Sequence, residues 1–392
     1  MKKVHLYEID FMRGFIMLGV LSVHTMSAYD SQLKDWTQAF LVMSAVHSSM
    51  HVMRMAFMFI TGLVLFITNY RRPFQTIAFW KKRLFFTLIP YVFWNVVYLL
   101  FRSATHSIEF HGSLLSFFKV LILSFIHGDQ FYIYYVLVIF QLYIIFPLML
   151  YGLRKFQKYH LQIFFWSVYI QLGMTAFIKF GIPHLDTSHW PYLLSHYGVF
   201  VLTYQCYFMA GGIVACHYEK ITEFIDEHAW FLTSVFGVSL VLMWVHYYFN
   251  RIILNEDDKR AQSVHQPVFL PYALLVVALV LFLGRIWAKR RTEKKWQPFS
   301  RFVQVASQIS FGMYLVQPFP LYVLNVVIMP HLVKNPFVFY GSLPFSILFV
   351  YFSSMLIAYV FYKTPALSYC IGRKSRLPVQ AKAVQIPGKQ QI

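Results

Sequence analysis

Residues 9–28 read IDFMRGFIMLGVLSVHTMSA, an apolar run of twenty that carries only three ionisable groups, Asp10, Arg13 and His24. As a helix with about 1.5 Å of rise per residue, such a run covers about 30 Å, the hydrocarbon thickness of a bilayer. It reads as a membrane span. Nine further runs follow, near 47–68, 84–101, 131–152, 161–180, 198–217, 230–249, 268–287, 308–329 and 341–362. A shorter apolar segment at 113–126 carries Lys119 and reads as interfacial rather than spanning. The expected fold class is all-α: a polytopic membrane protein with about ten transmembrane helices.

Composition points the same way. Of 392 residues, 58% are hydrophobic and only 12% charged, with a mean hydropathy of +0.55. A soluble domain is about 45–50% apolar and about 25% charged, so the bilayer is the natural solvent here. A net charge of +19 in a soluble chain would suggest nucleic acid. In this chain the basic residues sit in short clusters between apolar runs, which reads as topology, and no nucleic-acid partner is expected. Three scattered cysteines, Cys206, Cys216 and Cys370, make neither a disulfide framework nor a metal ribbon. Met1-Lys2-Lys3 resembles the start of a signal peptide, but Glu8, Asp10 and Arg13 interrupt the apolar stretch. It reads as a retained first span.

Placing the amino terminus in the cytoplasm puts 24 of the 34 lysines and arginines in cytoplasmic segments and 7 in outer ones. Arg13, Arg54 and Lys179 fall within spans. This bias fits the positive-inside rule and requires an even number of spans, so both termini are expected in the cytoplasm. Residues 1–365 read as one transmembrane domain. Residues 366–392, polar and containing Pro378 and Pro387, read as a cytoplasmic tail.

Ionisable groups within spans are costly unless paired or hydrated, which makes them functional candidates. Eleven residues at about 100° each return to within about 20° of the same helix face, so Arg13 and His24 share a face about 16 Å apart axially. Asp10, three residues before Arg13, is placed to pair with it. In the second span His47, His51 and Arg54 lie at i, i+4 and i+7, again on one face. A histidine pair at i, i+4 suits zinc, but no acidic partner lies nearby in the sequence and no metal is expected. Apart from Asp10, and Glu8 at the margin, the fifteen acidic residues fall outside the predicted spans. Paired carboxylates for glycosidase chemistry and Walker or dinucleotide motifs are absent. Histidine remains as the acid–base group.

The stretch Asp10-Phe-Met-Arg13-Gly14 followed by His24 resembles the first span of the acyltransferase 3 family of bacterial membrane O-acyltransferases, whose hallmark is arginine, ten residues, histidine. His51-Val-Met-Arg54-Met55 running to Thr61-Gly62 resembles the family's second span, with threonine where serine is usual. Lys81-Lys82-Arg83-Leu-Phe-Phe86 resembles a basic R-x-x-R segment, with Phe86 in place of its second arginine. The span from Tyr132 to Pro147, and Ser310-Phe-Gly312-Met-Tyr314-Leu-Val-Gln317-Pro318, resemble two later segments, with Gln317 replacing a histidine. The resemblance covers about residues 5–365 and matches the stand-alone form.

That resemblance implies an acyl-CoA donor, acetyl-CoA in the common case, reached from the cytoplasm. It also implies a cell-envelope or exopolysaccharide glycan acceptor met on the outer side of a bacterial plasma membrane. Lys81, Lys82 and Arg83 would attract the donor's phosphates. Arg13, steadied by Asp10, would hold its polar arm. His24 would act as general base or transient acyl carrier, and Arg54 with His51 would stabilise the oxyanion. The alternative is a non-catalytic polysaccharide exporter or flippase.

Overall fold

The computed structural model describes residues 5–105 and 114–374, and within them the chain is helical throughout, without a strand. Lys2, Lys3, Arg376, Lys382, Lys389 and the tail after residue 374 lie outside the described residues.

The first span is helix α1 (Tyr7–Asp30), which runs past the predicted end at 28 to include Asp30. Helices α2 (Gln38–Met50) and α3 (Met53–Asn69) form one span of 32 residues interrupted at His51–Val52. Thr37 caps its start, its hydroxyl accepting the Phe40 amide at 3.3 Å. There follow α4 (Thr76–Ala104), the shorter α5 (Leu114–His127), α6 (Tyr134–Lys155) and α7 (His160–Ala176), the last continued by single turns to His184. The four-residue α8 (Tyr192–Ser195) leads through 3-10 turns into α9 (Gln205–Cys216). Helices α10 (Tyr218–Glu227), α11 (Ala229–Tyr248), α12 (Asp258–Ala261) and α13 (Phe269–Arg290) come next. The bundle closes with α14 (Gln297–Val316), α15 (Pro318–Val323), α16 (Met329–Leu332) and α17 (Pro336–Lys363).

Among the described residues, 8 helices are long and apolar enough to cross a membrane. A ninth is formed if α14 and α15–α16 count as one span bent by 53°. The bend falls at Gln317–Pro318, where proline removes a backbone donor. The predicted span at 198–217 forms only the shorter apolar helix Val201–Cys216, whose first turn winds as 3-10. By length and composition, therefore, eight or nine of the described helices qualify as spans. The chain is a multi-pass membrane protein.

Helix α1 is the most buried of the eight candidate spans and α11 the least. Helices α3 and α9 touch backbone to backbone. A Cβ on Gly62 would lie 2.2 Å from the Phe208 carbonyl oxygen, and one on Gly211 would lie 2.2 Å from that of Phe59. Only glycine fits there, and close approach of small residues is how helices pack in lipid. This contact sets the height and tilt of α3, which carries Arg54. One apolar cluster joins α3, α6, α9 and α13, and a second joins α1, α4, α14 and α17.

Candidate active site

Elements from both clusters line a cavity of about 680 Å³. Helix α1 gives it Arg13 and His24, α3 gives Arg54 and Thr61, and α4 gives Lys82 and Arg83. The two α1 residues share a face, as eleven-residue spacing demands, and so mark two ends of one polar stripe about 16 Å long. At its first end the Arg13 guanidinium has no hydrogen-bond partner among the described residues, and Arg83 lies over the Tyr143 ring at 6.0 Å. Arg373 and Lys374, from the segment after α17, line the same end.

At the other end the His24 ring lies against that of Tyr132, with centroids 3.7 Å apart. Tyr132 is held in turn, since the Tyr314 hydroxyl donates to its backbone carbonyl. Phe131, the residue before it, takes a φ of 49°, a left-handed conformation that bulky side chains rarely adopt. Aromatic packing therefore orients His24, and among the described residues no hydrogen bond occupies either ring nitrogen. Both stay available to a substrate. Arg54 lies over the Tyr134 ring at 5.3 Å and has no ion pair among the described residues.

His51 sits at the helix break. Its Nδ1 lies 3.0 Å from the Gln262 carbonyl oxygen, which can only accept. Neutral His51 therefore carries its proton on Nδ1, and its Nε2 accepts from His47 Nε2 at 3.1 Å. His47 Nδ1 then shares a proton with Asp30 Oδ2 at 2.6 Å. The result is a carboxylate–histidine–histidine chain ending beside Arg54. His24 does not join these two histidines, and among the described residues no three His, Cys, Asp or Glu side chains are placed to hold a metal.

A second cavity, of about 730 Å³, shares His51 and Arg54 with the first and is lined also by Asp30, His47, Asp258 and His265. Its walls are braced by buried charges. Lys179 pairs with Glu256 and donates to Asn250 Oδ1 at 3.1 Å. Arg251 pairs with Asp35, stacks on Trp36 at 4.2 Å and donates to the Glu256 carbonyl. His51 and Arg54 thus stand where two polar chambers meet.

A family profile described as an acyltransferase domain, that of acyltransferase 3, matches residues 6–363. The chain belongs to the acyltransferase 3 family. Membership implies acyltransferase activity. No curated protein and no solved structure matches the chain.

In this acyltransferase some sequence expectations need correction. Asp10 does not pair with Arg13. Its carboxylate accepts instead from Ser307 Oγ at 2.7 Å and lies 2.6 Å from His5 Nε2, because α14 brings a donor closer than the i+3 guanidinium. Lys81 is exposed and does not line the cavity, although its neighbours Lys82 and Arg83 do. The histidines of the second span do have an acidic partner, Asp30, which lies two residues beyond the predicted end of the first span. Tyr132 and Tyr314 were legible only as parts of motifs; their joint role in orienting His24 needs the fold. Thr61 lines the cavity where the family pattern has serine. Gln317 is fully buried at the 53° bend.

Proposed function

We propose that this acyltransferase moves an acyl group, acetyl in the common case, from cytoplasmic acyl-CoA to a hydroxyl of a cell-envelope or exopolysaccharide glycan. The acceptor lies on the outer side of a bacterial plasma membrane. In this reading α9 completes a tenth crossing, and both termini are cytoplasmic, as the 24-to-7 bias of basic residues favours. The Arg13 end of the cavity then opens to the donor and the chamber of Asp30 and His265 to the acceptor.

The observation that carries the reading is a single cavity with Arg13 at one end and an uncommitted His24 beside Arg54 at the other. A thioester arm lying along the stripe of about 16 Å brings its carbonyl to His24 while its phosphates stay among the cations. The acceptor oxygen attacks the carbonyl carbon, and its proton passes to His24. Arg54 stabilises the oxyanion formed by that attack; as the oxyanion collapses the carbon–sulfur bond breaks, and the proton passes from His24 to the departing thiolate. In the carrier variant a His24 nitrogen takes the acyl group first, the thiolate leaves, and the acceptor hydroxyl then attacks the acyl-imidazole. Neither route releases a net proton.

A cavity of about 680 Å³ falls within the range of small-molecule sites, about 300–1,000 Å³. It suits a thioester arm and a sugar better than a polymer in transit, which weighs against export. The test is His24→Ala in a strain lacking the wild-type gene, with surface glycan analysed for base-labile acyl esters. Loss of esters with glycan still at the surface is expected. Full acylation overturns the enzyme reading, and glycan accumulating inside favours the exporter.

A further inference from the structure

Beyond α17 the chain does not leave the bundle at once. Residues Leu367–Ile371 form a 3-10 turn in which Ser368 and Ile371 are buried. The Trp94 indole N–H donates to the Cys370 carbonyl at 2.7 Å, fastening the turn to α4. Tyr369 stacks on Phe86, with ring centroids 6.1 Å apart and planes within 11°. Gly372 then takes a φ of 68°, and a Cβ there would lie 2.8 Å from the Phe86 carbonyl oxygen. A left-handed glycine pressed against α4 turns the chain sharply. That turn delivers Arg373 and Lys374 to the cavity wall, at the end that Arg13, Lys82 and Arg83 already line. Five cationic side chains from three separate parts of the chain thus converge on one mouth.

We infer that Arg373 and Lys374 are binding residues for the phosphates of the acyl donor, supplied by the carboxy-terminal strap. This inference rests on the donor proposed above. Phe86 stands where the family pattern carries a second arginine, and here its ring anchors the strap instead of presenting charge. The lost cation is replaced from Arg373, a remote point in the sequence. Guanidinium and ammonium groups around a concave mouth suit clustered phosphates, the first by forked hydrogen bonds and the second as a point charge.

The test uses the full-length protein in a neutral detergent without added lipid, so that phospholipid headgroups cannot supply the effect. CoA affinity is measured by titration calorimetry for the wild type, for Arg373→Gln/Lys374→Gln, and for the charge-conserving Arg373→Lys/Lys374→Arg. The glutamine pair is expected to weaken CoA binding by roughly tenfold or more. The charge-conserving pair keeps both charges while exchanging fork for point charge, and is expected to lose clearly less affinity than the glutamine pair. Wild-type CoA affinity in the glutamine pair overturns the inference and leaves the donor reading standing. An equal loss in both pairs assigns the effect to packing of the strap and overturns it as well. A wild type that does not bind CoA overturns both the inference and the donor.

Discussion

The close backbone contact between α3 and α9 gives the sharpest mechanical prediction. In Gly62→Ala the new methyl would start 2.2 Å from the Phe208 carbonyl oxygen, whereas carbon and oxygen in ordinary contact sit about 3.3 Å apart. Helices α3 and α9 must therefore separate by about 1 Å, since neither atom belongs to a flexible side chain. Overpacking of this kind costs about 1–3 kcal/mol. Arg54 lies eight residues along the same helix, about 12 Å away, so the shift reaches the site. Misplacement of about 1 Å at a catalytic group can cost about 100-fold in rate. Gly237→Ala is the matched control, because a Cβ there meets nothing within 4 Å. The assay is thermal unfolding of the purified protein in detergent, paired with acyl transfer to the native glycan. Gly62→Ala should unfold several degrees earlier and lose most activity, with Gly237→Ala close to wild type. If the two variants behave alike, the α3–α9 contact does not position the site and the reasoning fails.

Other predictions concern charge. Arg285 grips Asp226 through two nitrogens, at 3.1 and 2.9 Å, with Lys289 at 3.3 Å. These hydrogen bonds hold the Asp226 carboxyl below the usual carboxylate range. A depressed folded value means the pair stabilises above the unfolded value near 3.8 and fades as pH falls through the folded one. Asp226→Asn should thus cost about 1 kcal/mol at pH 7, given the partial exposure, and little in strong acid; pH-dependent unfolding checks it. Arg54→Gln removes the cation beside His24 at that end of the cavity and should lower turnover by about 100-fold or more while the protein still folds. Acyl-transfer rates and a size-exclusion profile decide that point. Asp30→Asn breaks the pairing of a buried histidine, a change that costs about 3–5 kcal/mol when such a pair is fully buried. It should lower the melting temperature more than Asp226→Asn, which scanning fluorimetry will show.

Much of the fold was legible because lipid-facing helices must be apolar along their length. Hydropathy found α1, α6, α11, α13 and α17 with small errors at their ends, and α4 with a start eight residues too late. It missed that the second span starts at Gln38 and breaks at His51–Val52, since no proline or glycine marks the break. It also read residues 198–217 as a full span, although the Val201–Tyr204 turn is 3-10 and the helix is short. In the site, Arg13, His24 and Arg54 were legible from spacing, which fixes a helix face. The partner of Asp10 was not, because Ser307 comes from a helix nearly 300 positions on. Asp30 was hidden by a boundary two residues short. The strap carrying Arg373 reads in sequence as the start of a polar tail, and only its packing on Trp94 and Phe86 ties it to the cavity wall.

The central claim is that an acyl group crosses the bilayer through His24. Proteoliposomes with the Arg13 mouth facing outward, given radiolabelled acetyl-CoA outside and the glycan acceptor inside, test it most directly. The account predicts base-labile label on the enclosed glycan with wild-type protein and none above background with His24→Ala. Equal label on the enclosed glycan from His24→Ala, or none from an active wild type, would contradict it.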